Sequence, residues 1–458
     1  MSKKFISVLQ KLGKDTPAKV YFTGGFVRDL LRKKEPNSID IVIADYPMED
    51  LVKFLKKYGK VKYNDSLYHM MTYSINGEEI NISIPRRGKK RAHFYTIKDD
   101  ARYRDFTINA MYLPIDRRSK KHIIDFYDGI NDIKDHKIKA VGNPRQVIQA
   151  DPLRMIRAVS FAAQLGYRID VKLFNEIRNR DISANIMEKL DADLIRDEFI
   201  KIILSKKPSK YIKTLSDLSL LRYVMPELDM CMGLRQNKEY HKHDVFTHSI
   251  LACDNTDADI VLRLSALLHD IGKLQTYNED NTGGKVTFYS HEVVSAKLSK
   301  RILKRLNFDK EIIAKVVELT YLHMYNYEPD KWSDGAVRRF IKKAGITKEN
   351  IDHLDTFPLF LVRRADRLAN GYTSKEVSHR QELFQKHIKD IFEKSNVFTV
   401  NDLAIDGHTL MKEFHLKEGP TVGHILNFLL SIVIDDQKLN TREILIEKTS
   451  DYLSAVLK

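Results

Sequence analysis

Strand-like segments are confined to the first part of the chain, and helical periodicity dominates after Pro144. The early segments are short, β-branched or aromatic, and bounded by Gly, Pro, Asn or Asp, which is typical of strands. They read KVYFTGG, IDIVIA, YHMMTYSING, EEINISIP, INAMYLPI and HIIDFYDG. Later segments such as DPLRMIRAVSFAAQLGY carry apolar residues at three- and four-residue spacing and end in a glycine suited to a helix C-cap. This division predicts an α+β protein with a small sheet-containing head and a long, mostly helical body.

Length and composition limit the class of protein. A chain of 458 residues is too long for one compact core, so several domains are expected. With 43% hydrophobic and 30% charged residues, the composition is that of an ordinary globular protein. The sequence has no run of 18 apolar residues and no signal-peptide pattern, and Cys231 and Cys253 give no disulfide framework. We therefore expect a cytoplasmic protein without a membrane partner.

The charge balance points to a polyanionic partner. The formal net charge is +15 and the isoelectric point is near 9.3, which favours nucleic acid. Basic clusters occur at residues 31–34, 85–93, 116–122 and 336–343. Such clusters neutralise RNA phosphates and make binding sensitive to salt. The alternative is a lysine-rich surface that is only solvated.

Two glycines separate the first strand from the first long helix of the head. In YFTGGFVRDLL, Gly24 and Gly25 precede a helix that is predicted to begin near Phe26. Glycines in this position let backbone N–H groups approach a phosphate at the positive end of a helix. A tight strand-to-helix connection requires glycine even without a ligand, so the motif alone decides little. Three more motifs follow in order: RDFTINAM (104–111), YDGINDI (127–133) and ADPLRMIRA (150–158).

Taken in this order, the motifs resemble those of class II tRNA nucleotidyltransferases and poly(A) polymerases of the polymerase-β superfamily. The resemblance continues through the C-terminal segments DLAIDGHTLM, EGPTVGHIL and LNTREIL. It implies a polymerase-β-like head with a mixed β-sheet, which binds two Mg²⁺ ions. It also implies a single pocket that selects CTP or ATP with protein side chains, and a tRNA or tRNA-like RNA 3′ end as partner.

The resemblance also assigns residues to nucleotide binding. The turn on the phosphate side would be formed by residues 24–29, and Arg104 with Asp105 would contact the sugar or phosphates. Asp151 and Arg154 lie one helical turn apart and would bind the base edge, since Asp accepts from an amine and Arg donates to ring acceptors. The alternative for this pair is an N-cap and an ion pair on the helix face. The complete nucleotide-binding set is Gly24, Gly25, Arg28, Asp29, Arg104, Asp105, Asp151, Arg154 and Arg157.

The sequence departs from the family pattern where metal-binding acids are expected. The second strand should read Asp-x-Asp, with both carboxylates on one face, but the chain has Ser38-Ile39-Asp40. A third acid is expected before the PR element, and Asn81 stands there. Arginine is usual before the RDF segment, and this chain has Tyr103.

These departures predict an impaired polymerase site. Mg²⁺ is a hard ion that prefers carboxylate oxygens, and a pair of such ions needs several of them. Asp40 alone would bind Mg²⁺ weakly, because hydroxyl and amide oxygens are neutral ligands. Two alternatives remain open: Glu79, on the same strand face as Asn81, supplies a displaced acid, or the register differs by one or two residues.

A second series of motifs lies in the helical body. HDVFTHSIL, LLHDIGK, FYSHEVVSA, TYLHMYN and RRADRLA resemble the HD phosphohydrolase pattern in its longer form. Imidazoles and carboxylates bind first-row transition metals such as Mn²⁺, Fe²⁺, Ni²⁺ or Zn²⁺. A lone histidine is usually a surface or core residue, but a His-Asp pair among leucines is costly to bury without a metal or strong partner. The predicted metal ligands are His248, His269, Asp270, His291, His323 and Asp366, with Asp40 for the head.

The contrast between the two sites leads to three functional hypotheses. The favoured one is a degenerate head joined to a metal-dependent phosphohydrolase or phosphodiesterase that acts on tRNA or nucleotide ends. Its catalytic residues would be His269, Asp270 and Lys273, with Lys273 near a phosphate oxygen, and Asp40 would be the remaining catalytic acid of the head. The alternatives are an active CCA-, CC- or A-adding enzyme and a non-catalytic RNA-binding protein.

Four domains are predicted. Residues 1–140 form the nucleotidyltransferase-like head, and residues 141–235 form a helical neck with the nucleotide-selecting helix and an RNA-binding region. Residues 236–375 form the HD phosphohydrolase domain, and residues 376–458 form a C-terminal helical tRNA-binding region. The sequence leaves the oligomeric state open.

Overall fold

The computed structural model describes residues 3–36, 39–64, 70–85, 96–117, 119–179, 190–237, 241–279, 286–394 and 397–456. The chain forms two compact units, Met1–Pro226 and Glu227–Lys458. Among the described residues, no helix is both long and apolar enough to cross a membrane. The division into four domains remains a prediction.

A seven-stranded mixed sheet forms the centre of the first unit. Its order is β3-β4-β5-β2-β1-β6-β7, in which β2 and β5 run parallel and every other neighbouring pair is antiparallel. The strands are β1 Lys19–Thr23, β2 Asp40–Ala44, β3 Lys60–Asn64, β4 Met70–Ile75, β5 Glu78–Ser83, β6 Met111–Pro114 and β7 Ile124–Asp125. A separate parallel pair joins β8 Lys137–Ile138 to β9 Arg168–Ile169. The sheet confirms the predicted mixed-sheet head.

The central strands form because their side chains are buried on both faces. In β2, residues 41–44 are all buried, as expected for a β-branched strand between two neighbours. Val42 and Tyr112 pack in one cluster with Ile97 and Ala101, which carry the apolar side of a short helix. The segment HIIDFYDG gives only a two-residue strand, because the Asp125 carboxylate accepts hydrogen bonds from the backbone N–H groups of Tyr127, Gly129 and Ile130 and turns the chain.

Helices make up most of the remaining described residues of the first unit, and the last of them, α12, ends in the second unit. Gly24 begins a helix two residues earlier than predicted, and Gly166 ends another in a left-handed conformation, which confirms the predicted C-cap. The helices are α1 Lys3–Asp15, α2 Gly24–Leu31, α3 Met48–Lys56, α4 Ile97–Tyr103, α5 Gly129–Lys134, α6 Pro144–Ala150, α7 Leu153–Leu165, α8 Val171–Arg178, α9 Ala192–Ile203, α10 Pro208–Asp217, α11 Leu221–Val224 and α12 Pro226–Asp229. 3₁₀ turns occur at Thr107–Asn109 and Lys120–His122.

The second unit is almost entirely helical, with one short hairpin of β10 Asn278–Glu279 and β11 Val286–Thr287. One core cluster includes Val337, Phe360 and Phe384, and another, nearer the C-terminus, includes Ile425 and Leu429. The helices are α13 Val245–Asp254, α14 Ile260–Leu268, α15 Lys273–Thr276, α16 His291–Arg305, α17 Lys310–Leu322, α18 Asp334–Ala344, α19 Pro358–Ala369, α20 Ser374–Lys394, α21 Gly407–Glu413, α22 Pro420–Asp435 and α23 Arg442–Val456. 3₁₀ turns occur at Ile351–Thr356, Val400–Asp402 and Gln437–Leu439.

The basic cluster 336–343 lies in α18, and two of its arginines contact another helix. Arg338 is buried and donates to the backbone oxygens of Ile434 and Asp435, at 2.6 and 3.1 Å. Arg339 pairs with the Asp435 carboxylate. The last carbonyl groups of a helix lack partners within the helix, and Arg338 supplies donors to those at the end of α22. Most of the cluster 85–93 lies outside the described residues.

Candidate functional sites

Gly24, Asp40 and Arg104 lie close together at one end of the central strands β1 and β2. Asp40 begins β2 and pairs with Thr23 of β1 and with Asn81 of β5. Gly24 has a φ of +60°, and a Cβ there would lie 3.1 Å from Asp40 Oδ2 and 3.7 Å from Arg104 Nη1. A side chain at position 24 would be both strained and crowded. Glycine therefore lets the turn approach the carboxylate closely.

Arg104 is held in place from three sides. Its Nε lies 2.8 Å from Asp100 Oδ2 and 3.0 Å from the Tyr112 hydroxyl, and its Nη1 donates to the Asn109 carbonyl at 3.1 Å. Burial opposes the charge, but Asp100 and Tyr112 outweigh it and raise the pKa of Arg104. The head therefore places a fixed positive charge beside Asp40.

Arg28 and Asp29 are bound to each other in α2. Nε and Nη2 of Arg28 lie 3.0 and 3.1 Å from the two carboxylate oxygens of Asp29, and Arg32 adds a contact at 3.2 Å. The remaining Nη1 of Arg28 donates to Asn109 Oδ1 at 2.9 Å. Asp29 is buried, so these two arginines compensate its charge. Their predicted contact with a phosphate remains a prediction.

Asp105 links the head to the helix that follows it. Its Oδ1 accepts from the Phe106 backbone at 2.7 Å and from Asn109 Nδ2 at 3.2 Å. Its Oδ2 lies 3.5 Å from Arg157 Nη1, and Arg157 Nε in turn lies 3.4 Å from Glu198. Burial would raise the pKa of Asp105, but Arg157 and then Arg154 outweigh it and lower the pKa. Arg157 of α7 thus contacts both the segment after α4 and helix α9.

Asp151 and Arg154 have the contacts of a helix cap and a helix-face ion pair. Asp151 Oδ1 accepts from the Leu153 backbone at 3.1 Å, and its Oδ2 lies 3.8 Å from Arg154 Nε. Arg154 also donates to the carbonyl oxygens of Tyr103 and Val147, at 2.8 and 3.3 Å. These are the contacts of the structural alternative, and a role in reading a base stays a prediction. Tyr103, one of the departures, contributes its backbone oxygen.

The expected acidic positions of the head are only partly described. Asn81 faces Asp40 across the parallel pair, and its Oδ1 lies 3.5 Å from Thr72 Oγ1. Glu79 is exposed in the same strand, two residues before Asn81. Ser38 lies outside the described residues. In the part of β2 and β5 that is described, this position therefore combines the carboxylate of Asp40 with an amide.

Six side chains of the second unit converge in a buried cluster, which we call the His/Asp cluster. They come from α13, from the turn after α14, from the start of α16, from the end of α17 and from α19. All six are at least nine-tenths buried. The members are His248, His269, Asp270, His291, His323 and Asp366.

Two carboxylates organise the His/Asp cluster. Asp270 lies 3.2 Å from His269 Nε2, 3.1 Å from His291 Nε2 and 3.7 Å from His323 Nε2. Asp366 lies 3.1 Å from His248 Nε2 and 3.6 Å from His269 Nε2. Two groups, His248–His269–Asp366 and His269–Asp270–His323, each have ligand atoms within 4.8 Å of one another. Sequence reasoning thus selected residues that the fold brings together.

The imidazole orientations match those of metal ligands. Nδ1 of His269, His291 and His323 lies 2.8, 2.9 and 2.7 Å from the carbonyl three residues earlier. A neutral ring that donates there presents its Nε2 lone pair to Asp270. Within the described residues, the buried Nε2 atoms of His291 and His323 have no hydrogen-bond partner. Lone pairs that face carboxylate oxygens at these distances require a proton or a cation between them, so the donors fit a metal.

Protonation in the His/Asp cluster follows the carboxylates. Burial opposes the charged form of His269, but Asp270 and Asp366 outweigh it and raise the pKa of His269 to about 10. Burial lowers the pKa of His323 to about 4. For Asp270 and Asp366, burial acts upward, yet their cationic and imidazole partners hold both pKa values well below the usual range.

The His/Asp cluster has one neighbour that the sequence predicted, Lys273, and four that it did not. Lys273 Nζ, predicted to lie near a phosphate, is buried between Asp270 Oδ2 at 2.7 Å and Gln236 Oε1 at 2.6 Å. Gln236, His243, His241 and Arg363 had not been selected. Gln236 Nε2 donates to the His243 carbonyl at 3.2 Å, the His241 ring lies 5.4 Å from that of His248, and Arg363 donates to Asp366 Oδ2 at 2.6 Å. The segment HKH before His248 could have suggested His241, whereas nothing in the sequence marks Gln236.

Three family models match parts of the chain. The Poly A polymerase head domain matches residues 20–139, and the RNA and SrmB binding site of polymerase A matches residues 180–232. Domain 2 of tRNA nucleotidyltransferases matches residues 286–449. Together the matches cover the head, part of the neck and most of the second unit.

Known proteins show similarity over most of the chain. An A-adding tRNA nucleotidyltransferase of Deinococcus radiodurans is 30% identical over 73% of this chain and 74% of its own length. A CCA-adding enzyme of Ligilactobacillus salivarius is 26% identical over 98% and 96%. The fold is that of a Bacillus stearothermophilus CCA-adding enzyme solved with CTP, with a TM-score of 0.67, 17% identity and coverage of 99% and 100%. A Thermotoga maritima CCA-adding enzyme complexed with tRNA gives a TM-score of 0.56 at 21% identity, with coverage of 99% and 96%.

Proposed function

Because the chain belongs to the class II family of CCA-adding enzymes and poly(A) polymerases, we propose that it acts at the 3′ end of a tRNA. In this proposal the head transfers nucleotides from CTP or ATP to that end. The observation that carries it is the 30% identity to an A-adding tRNA nucleotidyltransferase over 74% of that protein's length. The expectation of a degenerate head has less support than this alternative.

The geometry of the head supports nucleotide binding. The turn at Gly24 opens towards Asp40 and Arg104, and the N-terminus of α2 lies at the same turn. Backbone N–H groups and a helix N-terminus favour a triphosphate, and Arg104 adds a positive charge there. Asp151 and Arg154 would then bind the base edge after exchanging part of their present contacts.

The metal requirement of the family is poorly met in the described part of the head. Nucleotidyltransferases of this family use divalent metals. The carboxylate of Asp40 and the amide of Asn81 do not balance the charge of two Mg²⁺ ions. Transfer at this site therefore requires another acid, for which Glu79, two residues before Asn81 in β5, is a candidate, or a metal that tolerates neutral ligands better.

A second candidate function is favoured by the His/Asp cluster. We propose that it holds one or two transition-metal ions and hydrolyses a phosphomonoester or cyclic phosphodiester at a nucleotide or RNA end. A metal bound there would supply a Lewis acid and lower the pKa of a bound water. The chain's own part is to orient the ligands: carbonyl oxygens fix the imidazole tautomers, Arg363 fixes Asp366, and Lys273 with Gln236 fixes Asp270.

A nucleotide incorporation assay tests the first proposal. Purified protein is incubated with tRNA transcripts that lack the terminal CCA, labelled CTP or ATP, and Mg²⁺ or Mn²⁺. We expect incorporation that Asp40→Ala abolishes, while Asp116→Ala, an exposed acid of the same unit, leaves it intact. Absence of incorporation with both nucleotides and both metals would rule out nucleotide transfer by the head.

A hydrolysis assay tests the second candidate independently. The substrates are RNA oligonucleotides with 2′,3′-cyclic or 3′-phosphorylated ends, and the readouts are released phosphate, ring opening and bound metal. We expect the double variant His269→Ala with Asp270→Ala to lose both hydrolysis and metal. If both persist in that variant, the His/Asp cluster is not the hydrolytic site.

A further inference from the structure

The second unit contains an arginine-lined pocket, formed by the segment after α17 together with α19 and α20. Its enclosed volume is only about 10 Å³, close to the space of one water molecule, so a larger ligand would bind at its open mouth. Its lining includes four arginines and no acidic residue. We call this feature the arginine pocket. The lining residues that bear on ligand binding are Arg363, Arg364, Arg367, Arg380, Tyr325 and Phe384.

Among the described residues, Asp366 pairs with one arginine of the pocket, Arg363, and no ion pair compensates the other three. In the described part of the chain, the side chains of Arg364, Arg367 and Arg380 form no hydrogen bond or ion pair. Glu376 lies one turn before Arg380 on α20 and accepts from Thr373, and the charge of Arg380 acts on it without forming an ion pair. Guanidinium groups stay charged at neutral pH, so their crowding favours an anion from solution.

Arg363 connects the arginine pocket to the His/Asp cluster. Its Nη1 donates to Asp366 Oδ2 at 2.6 Å, and Asp366 Oδ1 faces His248. Arg363 Nε is buried and has no hydrogen-bond partner among the described residues. The same guanidinium lies over the Tyr325 ring, 5.6 Å from its centroid. The arginine that lines the pocket therefore also positions an acid of the candidate metal site.

The scaffold under the arginine pocket is packed against the aromatic core. Tyr325 and Phe384 pack in the main aromatic core of the unit, with ring centroids 5.6 Å apart. Tyr327, which also lines the pocket, contacts His387 Nδ1 through its hydroxyl at 3.0 Å, and His387 Nε2 lies 3.2 Å from Asp334. A site on packed helices holds its charged groups in fixed positions, which lowers the entropic cost of binding.

We propose that the arginine pocket binds a phosphate group carried by a nucleotide or by the RNA backbone. Phosphate matches the chemistry, because it accepts paired N–H donors from planar guanidinium groups. The choice of phosphate over other anions rests on the proposed function, whereas the existence of an anion site does not. The neighbouring His/Asp cluster would then receive a substrate whose second phosphate is already held.

Inorganic phosphate is the first probe. Its affinity is measured by calorimetry on the full chain at constant ionic strength, with chloride as the reference anion. The test variant combines Arg367→Gln with Arg380→Gln, and the control combines Lys386→Gln with Lys389→Gln. Both control positions are exposed on α20, lie outside the pocket, and change the net charge equally. We expect about tenfold or greater weakening in the test variant, and no change in the control.

A conservative variant guards against misfolding. Arg367→Lys with Arg380→Lys keeps the charge but loses paired donors, so we expect an intermediate phosphate affinity. Bound metal at the His/Asp cluster is measured in every variant and is expected to stay constant. Equal phosphate affinity in the wild type and the glutamine variant would overturn the proposal, and so would a response to phosphate no larger than that to chloride.

Two ligands distinguish the source of the phosphate. AMP carries a phosphomonoester, and an RNA oligonucleotide with hydroxyl ends carries only phosphodiesters. Loss of AMP binding alone in the glutamine variant assigns the pocket to nucleotides, and loss of RNA binding alone assigns it to the backbone. If neither changes, the proposal is wrong. Failure of incorporation and hydrolysis with retained phosphate binding would instead reject the proposed function and leave the pocket in place.

Discussion

At the scale of single residues, the two candidate sites differ in how many charged donors they supply. The His/Asp cluster combines four imidazoles and two carboxylates, all buried, whereas the described metal position of the head combines Asp40 with Asn81. A buried charge is stable only if it is paired, so the cluster is consistent with a bound cation. An acid added beside Asp40 would give the head a second carboxylate for metal binding.

Asn81→Asp is expected to strengthen metal binding in the head. The new carboxylate would lie across from Asp40 in the parallel strand pair, so both could ligate one ion. We expect incorporation to rise by about tenfold or more at limiting Mg²⁺. A titration of incorporation rate against Mg²⁺ measures this. Ser83→Asp, two residues further along β5, adds the same charge as a control, and a similar gain there would contradict the assignment.

His323→Gln is expected to reduce metal binding in the second unit. The variant removes an Nε2 atom that lies 3.7 Å from Asp270, so metal affinity should fall by roughly 100-fold or more. Metal content after dialysis measures the loss, and His353→Gln, an exposed histidine of the same unit, is the control. Chelation should lower the melting temperature of the wild type but not of His323→Gln. An unchanged metal content in that variant would remove His323 from the ligand set.

At the scale of elements, the His-Asp turn and the start of α16 are packed without spare space. Gly272 follows the His-Asp pair, and its N–H donates to Ser295 Oγ at 2.8 Å. A Cβ at Gly272 would lie 2.4 Å from the His291 carbonyl and 2.5 Å from the Ser295 nitrogen. Both are backbone atoms, which cannot rotate away. This close approach brings Asp270 within reach of His291.

Gly272→Ala is therefore expected to destabilise the second unit. The clash should cost about 1–3 kcal/mol through overpacking, and it should also reduce bound metal because α16 moves away from Asp270. Gly423→Ala is the matched control, since that glycine lies in α22 with nothing within 4 Å of the added Cβ. The control should gain up to about 1 kcal/mol. Urea unfolding of both variants measures the difference, and equal stabilities would contradict the packing described.

At the scale of the whole molecule, the net charge of +15 favours association with RNA. The basic clusters differ in their contacts. Arg338 and Arg339 bind the end of α22, whereas Lys33 and Lys34 are exposed after α2. Only exposed, unpaired charges release counterions when RNA binds. The charge total thus overstates the number of RNA contacts.

Lys33→Gln with Lys34→Gln is expected to weaken RNA binding evenly across sequences. The slope of log affinity against log salt should decrease by about 1.4, since each of the two lost single-stranded contacts contributes roughly 0.7. Affinity measurements between 50 and 200 mM salt, on the order used for such slopes, provide the test. The control is Lys56→Gln with Lys57→Gln, exposed lysines at the end of α3 and outside the basic clusters. Equal slopes in the two variants would place the RNA away from residues 31–34.

Local patterns in the chain were enough to predict the division into a sheet-containing head and a helical body, because strand and helix periodicities are local. The sequence also indicated the family, which the comparisons confirm, and it selected the members of the His/Asp cluster from their motifs. Two of its expectations changed with the structure: the cluster 336–343 includes arginines that cap a helix, and HIIDFYDG forms only a short strand.

Which distant residues meet became known only from the folded chain. Gln236 reaches Lys273, Arg363 reaches Asp366, and Arg380 joins Arg367, although no local pattern marks any of these pairs. Periodicity shows which face of an element is apolar, but it does not show which other element covers that face. Contacts between separate helices depend on how their side chains pack, so the arginine pocket and the neighbours of the His/Asp cluster could not be predicted before the fold was known.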